Sequence, residues 1–168
     1  KGDSEGEDTV TSELPWEGEV DKFTINSKEG IHLNDPYEVA GTAYVTIPST
    51  SVKNTRWEFG VHLTFNPSAN NYARFYLTSS SNILSENLNG YYIQIGGAKD
   101  NVTLYRQNGD QSKLLASGRE LMKGDSSPKL YIKVERDNNG YWTFWTRRES
   151  ENEYVKEKQI KDTDIQTS

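Results

Sequence analysis

The chain has 168 residues, no cysteine and a formal net charge of −6 at pH 7. This length is sufficient for one domain with its own hydrophobic core, and the lack of cysteine excludes a disulfide-stabilised scaffold. The acidic balance argues against a nucleic-acid partner, because neutralising phosphates requires a concentrated basic surface. The sequence contains no run of about 18 apolar residues, so it predicts no membrane-spanning segment.

A polar N-terminal stretch precedes the first predicted element. Residues 1–13 are acidic and aperiodic, which predicts a flexible tether. From Phe23 onward the apolar residues recur at every second position, which is the period of a strand. In RWEFGVHLTF (residues 56–65), Trp57, Phe59 and Val61 would face a core, while Glu58 and the other alternate residues would point to solvent. We predict a strand there.

The same alternation continues along the chain in YARFYLT (72–78), GYYIQIG (90–96) and KLYIKVER (129–136). In GYWTFWTR (140–147), Trp142 and Phe144 would face the core. Trp145 would point outward, where it could stack on a ligand or be covered by a sheet edge or a loop. Turn sequences such as NGD and DNNG separate the segments, and only SGRELMKGD (117–125) predicts a brief helical turn. The shorter strand candidates are FTIN, IHL, GTAYVTIP, NVTLYRQ, SKLLAS and YVKEKQI.

About ten short strands with almost no helix predict an all-β fold. One face of each strand is apolar and the other is polar, so each sheet should pack on a partner and leave its outer side wet. We therefore predict an antiparallel β-sandwich over residues 14–168.

Two runs of carboxylates at two-residue spacing are the candidates for catalysis. Sandwich glycosidases present their acid and nucleophile in a similar alternation, with apolar residues between them. Here Gly18 and Val20 intervene in one run, and Ser150 and Asn152 in the other. We interpret both runs as solvated charge and assign no catalytic residue. The runs are Glu17, Glu19 and Asp21, and Glu149, Glu151 and Glu153.

Metal and cofactor sites are not predicted. The two histidines, His32 and His62, are too few for a metal cluster, and no Cys/His ligand spacing exists. No acidic loop has the ligand spacing of a calcium site. The sequence also lacks a phosphate-binding loop and a nucleophile elbow.

A polar and aromatic outer face is the remaining candidate site. If Phe75 points inward, its neighbours in YARFYLT point outward, beside the outward residues of the other strands. Flat aromatic rings stack on sugars while amide, carboxylate and guanidinium groups bond their hydroxyls, so this face predicts carbohydrate binding. The structural alternative is that cross-strand pairs of this kind stabilise the sheet by about 0.2–1 kcal/mol each. The predicted surface comprises Tyr72, Arg74, Tyr76, Tyr92, Gln94, Glu58 and His62, with Asn70 and Asn71 at its rim.

Five segments together resemble a concanavalin A-like or laminin-G-like jelly-roll domain: PWEGEVDKFTINSKEGIHLN, AGTAYVTIPS, WEFGVHLTFNPSANNYARFYL, LNGYYIQIGG and NVTLYRQNG. The similarity is to the version found in exported surface proteins of Gram-negative gut-type bacteria, and it covers Leu14 to the end. It implies a jelly-roll sandwich located at the cell surface or outer membrane, with the periplasm as the alternative.

The resemblance also bears on the two ends of the chain. The acidic start, KGDSEGED, is similar to the spacer that follows the lipidated cysteine of surface lipoproteins, which implies a lipid anchor upstream of Lys1. Related domains continue beyond DTDIQTS (162–168) with closing strands, so we expect a sandwich that lacks them. Neighbouring domains of a larger protein are expected partners.

The predicted function is a non-catalytic surface binding or adhesion module, with carbohydrate as the ligand class and no cofactor. Two alternatives stay open. The first is a structural or protein-interaction domain without a small ligand, and the second is a sandwich similar to the glycoside hydrolases.

Overall fold

The computed structural model describes residues 14–35 and 40–168, so the predicted tether of residues 1–13 lies outside the described residues. Within them the chain is built of antiparallel strands and one short 3-10 helix at Val20–Lys22. The strands are β1 Glu17–Gly18, β2 Phe23–Asn26, β3 Gly30–Leu33, β4 Val45–Thr46, β5 Thr55–His62, β6 Tyr72–Ser79, β7 Leu88–Gly96, β8 Val102–Gly109, β9 Gln111–Ser117, β10 Lys129–Arg136, β11 Tyr141–Arg148 and β12 Val155–Lys161.

The chain divides into two compact units. The first runs to Pro48, includes Asn82–Leu84, and contains the pairs β1 with β4 and β2 with β3. The second comprises Ser49–Ser81 and Ser85–Ser168 and contains β5 to β12. We predicted one sandwich domain over residues 14–168; the strands of both four-stranded sheets lie in the second unit.

Short polar contacts organise the first unit. The Glu19 carboxylate accepts a hydrogen bond from Lys22 Nζ at 2.9 Å and another from the Tyr44 amide at 3.1 Å. The bond from Lys22 lowers the pKa of Glu19. Glu17 accepts a bond from the Asn82 side chain at 2.7 Å. Two members of the first carboxylate run, Glu17 and Glu19, therefore hold loops in place.

The second unit is an antiparallel β-sandwich, which confirms the predicted fold class. One sheet has the order β12-β11-β10-β5 and the other β6-β7-β8-β9. Buried side chains of both sheets form one core. The Tyr91 and Trp142 rings meet across it with centroids 4.4 Å apart, and such aromatic pairs add about 0.5–1.5 kcal/mol beyond burial.

Phe75 points into the sandwich, as its position in YARFYLT predicted. Its ring stacks on Phe59 of the other sheet, with centroids 3.9 Å apart. Phe75 remains 38% exposed because β5 and β6 are the end strands of their sheets. Arg74, the residue before it in β6, is exposed on the opposite side. The period of two therefore assigns the two faces of this strand correctly.

Two further segments complete the core. The SGRELMKGD segment forms turns over 121–124 and no helix, and it buries Leu121 and Met122. After β12, the chain binds both sheets: the Ile165 amide donates to the Tyr91 hydroxyl at 3.2 Å, and Arg136 donates to the Ile165 carbonyl at 2.8 Å.

The described residues contain no helix with the length and hydrophobicity needed to cross a bilayer.

Candidate functional site

The strand order divides the predicted surface between two sheets. The residues on β6 and β7 are neighbours, because Arg74 pairs with Gln94 and Tyr76 with Tyr92. Glu58 and His62 lie on β5, which pairs with β10 in the other sheet. The expectation that all of them share one surface is corrected here. The chain crosses from one sheet to the other after β5. Alternation of apolar and polar residues predicts the face on which a side chain points, but it does not predict which strands pair with each other.

A row of three tyrosines dominates the outer face of the β6-β7-β8-β9 sheet. Tyr76, Tyr92 and Tyr105 stand in register on adjacent strands. The ring centroids are 5.0 Å apart in both contacts, and the Tyr92 and Tyr105 planes differ by 11°. Tyr92 is only 1% exposed although it points outward. We call this surface the tyrosine face; it comprises Tyr72, Arg74, Tyr76, Tyr92, Gln94, Tyr105, Gln107 and Ser112.

Arg74 covers the middle of the row. Its guanidinium carbon lies 4.7 Å from the Tyr92 ring centroid and 5.3 Å from that of Tyr72, within cation–π range. The Nε atom donates to Gln94 Oε1 at 3.3 Å, and one terminal nitrogen donates to the Tyr72 hydroxyl at 3.5 Å. Arg74 is the one charged side chain at the outward positions of these four strands.

Internal hydrogen bonds fix the phenol groups. The Tyr76 hydroxyl donates to Gln107 Oε1 at 2.7 Å, and the Tyr92 hydroxyl donates to Ser112 Oγ at 3.0 Å. Burial raises the pKa of both Tyr76 and Tyr105, so these phenols stay neutral at physiological pH. The rings are therefore held in one arrangement before any ligand arrives, which lowers the ordering cost of binding.

Three members of the tyrosine face were not predicted: Tyr105, Gln107 and Ser112. The signal for the first two was present, because Val102 and Leu104 in NVTLYRQ are buried core residues, which places Tyr105 and Gln107 on the outer side by alternation. Ser112 had no such signal. Its side of the sheet depends on a register shift in the pairing of β8 with β9 at Leu104.

Asn70 and Asn71, the predicted rim, form a tight turn immediately before Tyr72. Ser68 and Asn71 exchange backbone hydrogen bonds of 2.9 and 3.1 Å, and both asparagines are exposed. The turn is anchored on Gly96, which adopts φ +94° and has room for no side chain: a Cβ there would lie 2.8 Å from Pro67. Asn70 and Asn71 thus lie at the end of the tyrosine face, next to Tyr72.

Glu58 and His62 belong to a different environment. Glu58 accepts a hydrogen bond from the Tyr154 hydroxyl at 3.2 Å and pairs with Arg56 at 3.3 Å. His62 Nε2 is hydrogen-bonded to Ser127 Oγ at 2.9 Å. Asp125 accepts a bond from the Ser127 amide, so it orients the loop rather than the imidazole. Both residues lie on the outer face of the β12-β11-β10-β5 sheet.

In the second carboxylate run, Glu149 and Glu153 are exposed, as expected of solvated charge, whereas Glu151 is half-buried. Glu151 accepts bonds of 2.8 and 2.6 Å from the Arg119 guanidinium. Arg119 also donates to Glu157 at 3.1 Å, so two carboxylates share one cation. The bonds from Arg119 lower the pKa of Glu151 to about 2. Glu151 is therefore ionised at neutral pH and holds the turn after β11.

An open cleft of about 360 Å³ lies beside the start of β10. Two of its charged side chains, Lys129 and Glu149, pair with each other at 2.9 Å. A third, Arg148, binds Glu151 at 3.0 Å. Buried Leu121 and Met122 form its apolar wall. Three of its four charged side chains are paired, and the fourth, Asp125, accepts a hydrogen bond from the Ser127 amide, so this cleft presents fewer binding groups than the tyrosine face does.

Among the residues that the structure describes, no group of three or more His, Cys, Asp or Glu side chains could hold a metal ion. The aromatic and amide side chains of the tyrosine face are suited to stacking and hydrogen bonding.

No protein-family model, curated protein or solved structure matches this chain. A functional proposal therefore rests on the side chains described above.

Proposed function

We propose that the chain is a non-catalytic binding module and that its tyrosine face binds carbohydrate. The observation that carries the proposal is the row of tyrosine rings beside an arginine and two glutamines, all at outward positions of one sheet. A sugar has apolar C–H surfaces that pack on rings and hydroxyls that bond amide and guanidinium groups. This set of side chains offers both kinds of contact on one surface.

The members of the face would have different roles. Tyr72, 38% exposed, and Arg74, also exposed, are available for direct contact. Tyr92 is covered by its neighbours, so it would support Arg74 rather than touch a ligand. With one cation and no carboxylate at its outward strand positions, the face suits a neutral sugar chain better than a highly charged one.

A structural or protein-interaction domain is the second candidate. The hydrogen bonds of Tyr76 with Gln107 and of Tyr92 with Ser112 favour it, because they satisfy two phenols internally. Rows of cross-strand tyrosines also stabilise sheets. In that case the tyrosine face would bind no sugar, and its substitutions would change only stability.

A glycan array followed by affinity electrophoresis in neutral polysaccharides tests the proposal. We expect Arg74→Ala to weaken binding about 10-fold, which corresponds to roughly 1.4 kcal/mol, since it removes the guanidinium and uncovers the ring beneath. Lys123→Ala is the control, because Lys123 is an exposed cation in the 121–124 turn and belongs to neither outer face. Equal binding by both variants would exclude the site, and no glycan binding by the wild type would favour the structural candidate.

The resemblance to exported surface proteins supports a location at the cell surface or outer membrane. Fractionation of cells that express the full-length gene tests it, combined with protease treatment of intact cells. A protein recovered in the soluble cytoplasmic fraction would contradict the proposed location.

A further inference from the structure

The outer face of the β12-β11-β10-β5 sheet is strongly basic, although the chain as a whole has a net charge of −6. We call it the basic face. Its outward strand positions carry six cations against two carboxylates, an excess of four positive charges. The cations are Arg56, Lys129, Lys133, Arg147, Lys156 and Lys161, and the carboxylates are Glu58 and Glu135.

Aromatic rings alternate with these cations. Lys133 Nζ lies 4.4 Å from the Trp145 ring centroid and 5.0 Å from that of Tyr154. The Arg147 guanidinium lies 4.2 Å from the Tyr131 centroid. Trp145 points outward, as predicted, and its ring lies among these cations and aromatic side chains.

A glycine makes room for one of these rings. Gly60 pairs with Tyr131 across β5 and β10, and a Cβ at Gly60 would lie 3.1 Å from the Tyr131 ring. The ring therefore covers the backbone of the end strand. Rings and cations consequently form one continuous surface from β5 to β12.

Four of the six cations have no carboxylate partner within the described part of the chain. Arg56 is balanced by Glu58 at 3.3 Å and by Glu135 at 3.7 Å, and Lys129 is balanced by Glu149 at 2.9 Å. No carboxylate of residues 14–35 or 40–168 lies within 4.0 Å of the cationic groups of Lys133, Arg147, Lys156 or Lys161. Arg147 donates one hydrogen bond to the Glu151 carbonyl at 2.8 Å. The four side chains otherwise rest on rings or extend into solvent, so their charge is available to an external anion.

We infer that the basic face is a second binding site, which takes an anionic polysaccharide bearing carboxylate groups. The four unpaired cations would bind the carboxylates, while the rings of Trp145, Tyr131 and Tyr154 would pack against the sugar rings. Glu58 and Glu135 would accept bonds from sugar hydroxyls. This inference does not depend on the tyrosine face, which belongs to the other sheet.

A nucleic acid fits the basic face less well. Its affinity comes mainly from many phosphate contacts, each with a cation. Here Glu58 lies beside Lys133, and Glu135 beside Arg56, in the strand register. Those carboxylates would repel a dense row of phosphates, whereas a sugar chain offers them hydroxyl donors.

Fluorescence titration with polygalacturonate tests the inference, with its fully methyl-esterified form as the neutral control. We expect binding of the charged polymer in dilute salt and loss of binding in about 1 M salt, where the Debye length falls to about 3 Å. The esterified polymer should not bind this face. Failure of wild-type protein to bind polygalacturonate in dilute salt would overturn the inference.

Paired variants locate the site. The double variant Lys133→Gln with Arg147→Gln should weaken polygalacturonate binding at least about 10-fold. The control is Lys113→Gln with Lys123→Gln, which removes two exposed lysines that lie off this face. The control changes the net charge by the same amount and should leave the affinity unchanged. Lys156→Gln with Lys161→Gln provides a second test on exposed positions of an end strand, where the fold is least affected. Arg74→Ala should bind polygalacturonate normally.

Two results would overturn the assignment. One is equal weakening by the on-face and off-face pairs, which would show a response to net charge alone. The other is equal affinity for oligodeoxythymidylate, which would identify a general polyanion or nucleic-acid surface. Because Arg74 and the basic face lie on different sheets, a failure here and a failure of the proposed function remain distinguishable.

Discussion

Arg136 is a buried cation held by carbonyls and rings. It is 1% exposed, donates to the Ile165 carbonyl at 2.8 Å and to the Val52 carbonyl at 3.4 Å, and lies 4.8 Å from the Trp142 ring centroid. Its Nε atom has no hydrogen-bond partner among the residues that the structure describes. Burial lowers the pKa of Arg136. The side chain thus connects β10 to the segment after β12 at the cost of desolvating a charge.

Two substitutions of Arg136 distinguish the contribution of its volume to stability from that of its charge. Arg136→Ala should lower the free energy of unfolding by about 3 kcal/mol, because it leaves a cavity and removes the hydrogen-bond donor of the Val52 and Ile165 carbonyls. Arg136→Met should recover at least about half of that loss, since an apolar side chain of similar volume avoids the desolvation penalty. Urea unfolding measures both. An alanine variant within about 1 kcal/mol of the wild type would show that the arginine is not a structural anchor.

At the scale of elements, Arg119 fastens the segment after β9 to two later parts of the chain. Its guanidinium binds Glu151 in the turn after β11 and Glu157 in β12. Glu157 also accepts bonds from the Arg119 amide at 2.9 Å and from Thr146 at 2.5 Å. Bidentate pairing of arginine with carboxylates is among the stronger charge-assisted interactions, so this network should resist fraying of β12.

The lowered pKa of Glu151 predicts an acid-sensitive contribution to stability. Because the folded-state value of about 2 lies below the ordinary 4.5, the contribution is complete above about pH 4.5 and is lost as the pH falls toward 2. A shift of this size corresponds to roughly 3 kcal/mol, which solvent screening of a side chain 26% exposed reduces to about 1–2 kcal/mol.

Urea unfolding of the wild type and Glu151→Gln between acidic and neutral pH measures this contribution. The stability difference should be largest at neutral pH, shrink as the pH falls toward 2, and disappear below that pH, where the Glu151 carboxyl is protonated and as uncharged as the glutamine. Glu153→Gln, an exposed neighbour, is the matched control and should show little difference at any pH. A pH-independent difference for Glu151→Gln would contradict the assigned cause.

The same elements show what the sequence could predict. Alternation placed Phe59 and Ile93 inward and Arg74 outward, because burial of one face imposes a period of two. It could not place Glu58, because pairing of β5 with β10 depends on the path of the chain between sheets. It also did not predict the ion pair of Glu151 with Arg119, which lies 32 positions earlier in the sequence. Contacts between residues distant in sequence leave no local period.

At the scale of the whole sandwich, the two outer faces differ in charge. The tyrosine face carries one cation, whereas the basic face carries an excess of four positive charges. The core of Ile93, Leu104, Ile132 and Phe144 separates them, and packed sheets lie about 10 Å apart. A short ligand on one face cannot reach the other, so the two proposed sites should act independently.

Independence of the faces is open to measurement with short oligosaccharides. A saturating neutral oligosaccharide should leave the affinity for an oligogalacturonate unchanged. Salt should lower the affinity for the charged oligosaccharide only, because screening acts on ion pairs and not on ring stacking. Titration of each ligand in the presence and absence of the other measures both effects. Mutual competition would place both ligands on one surface, and equal salt dependence would show that the cations of the basic face do not determine the difference.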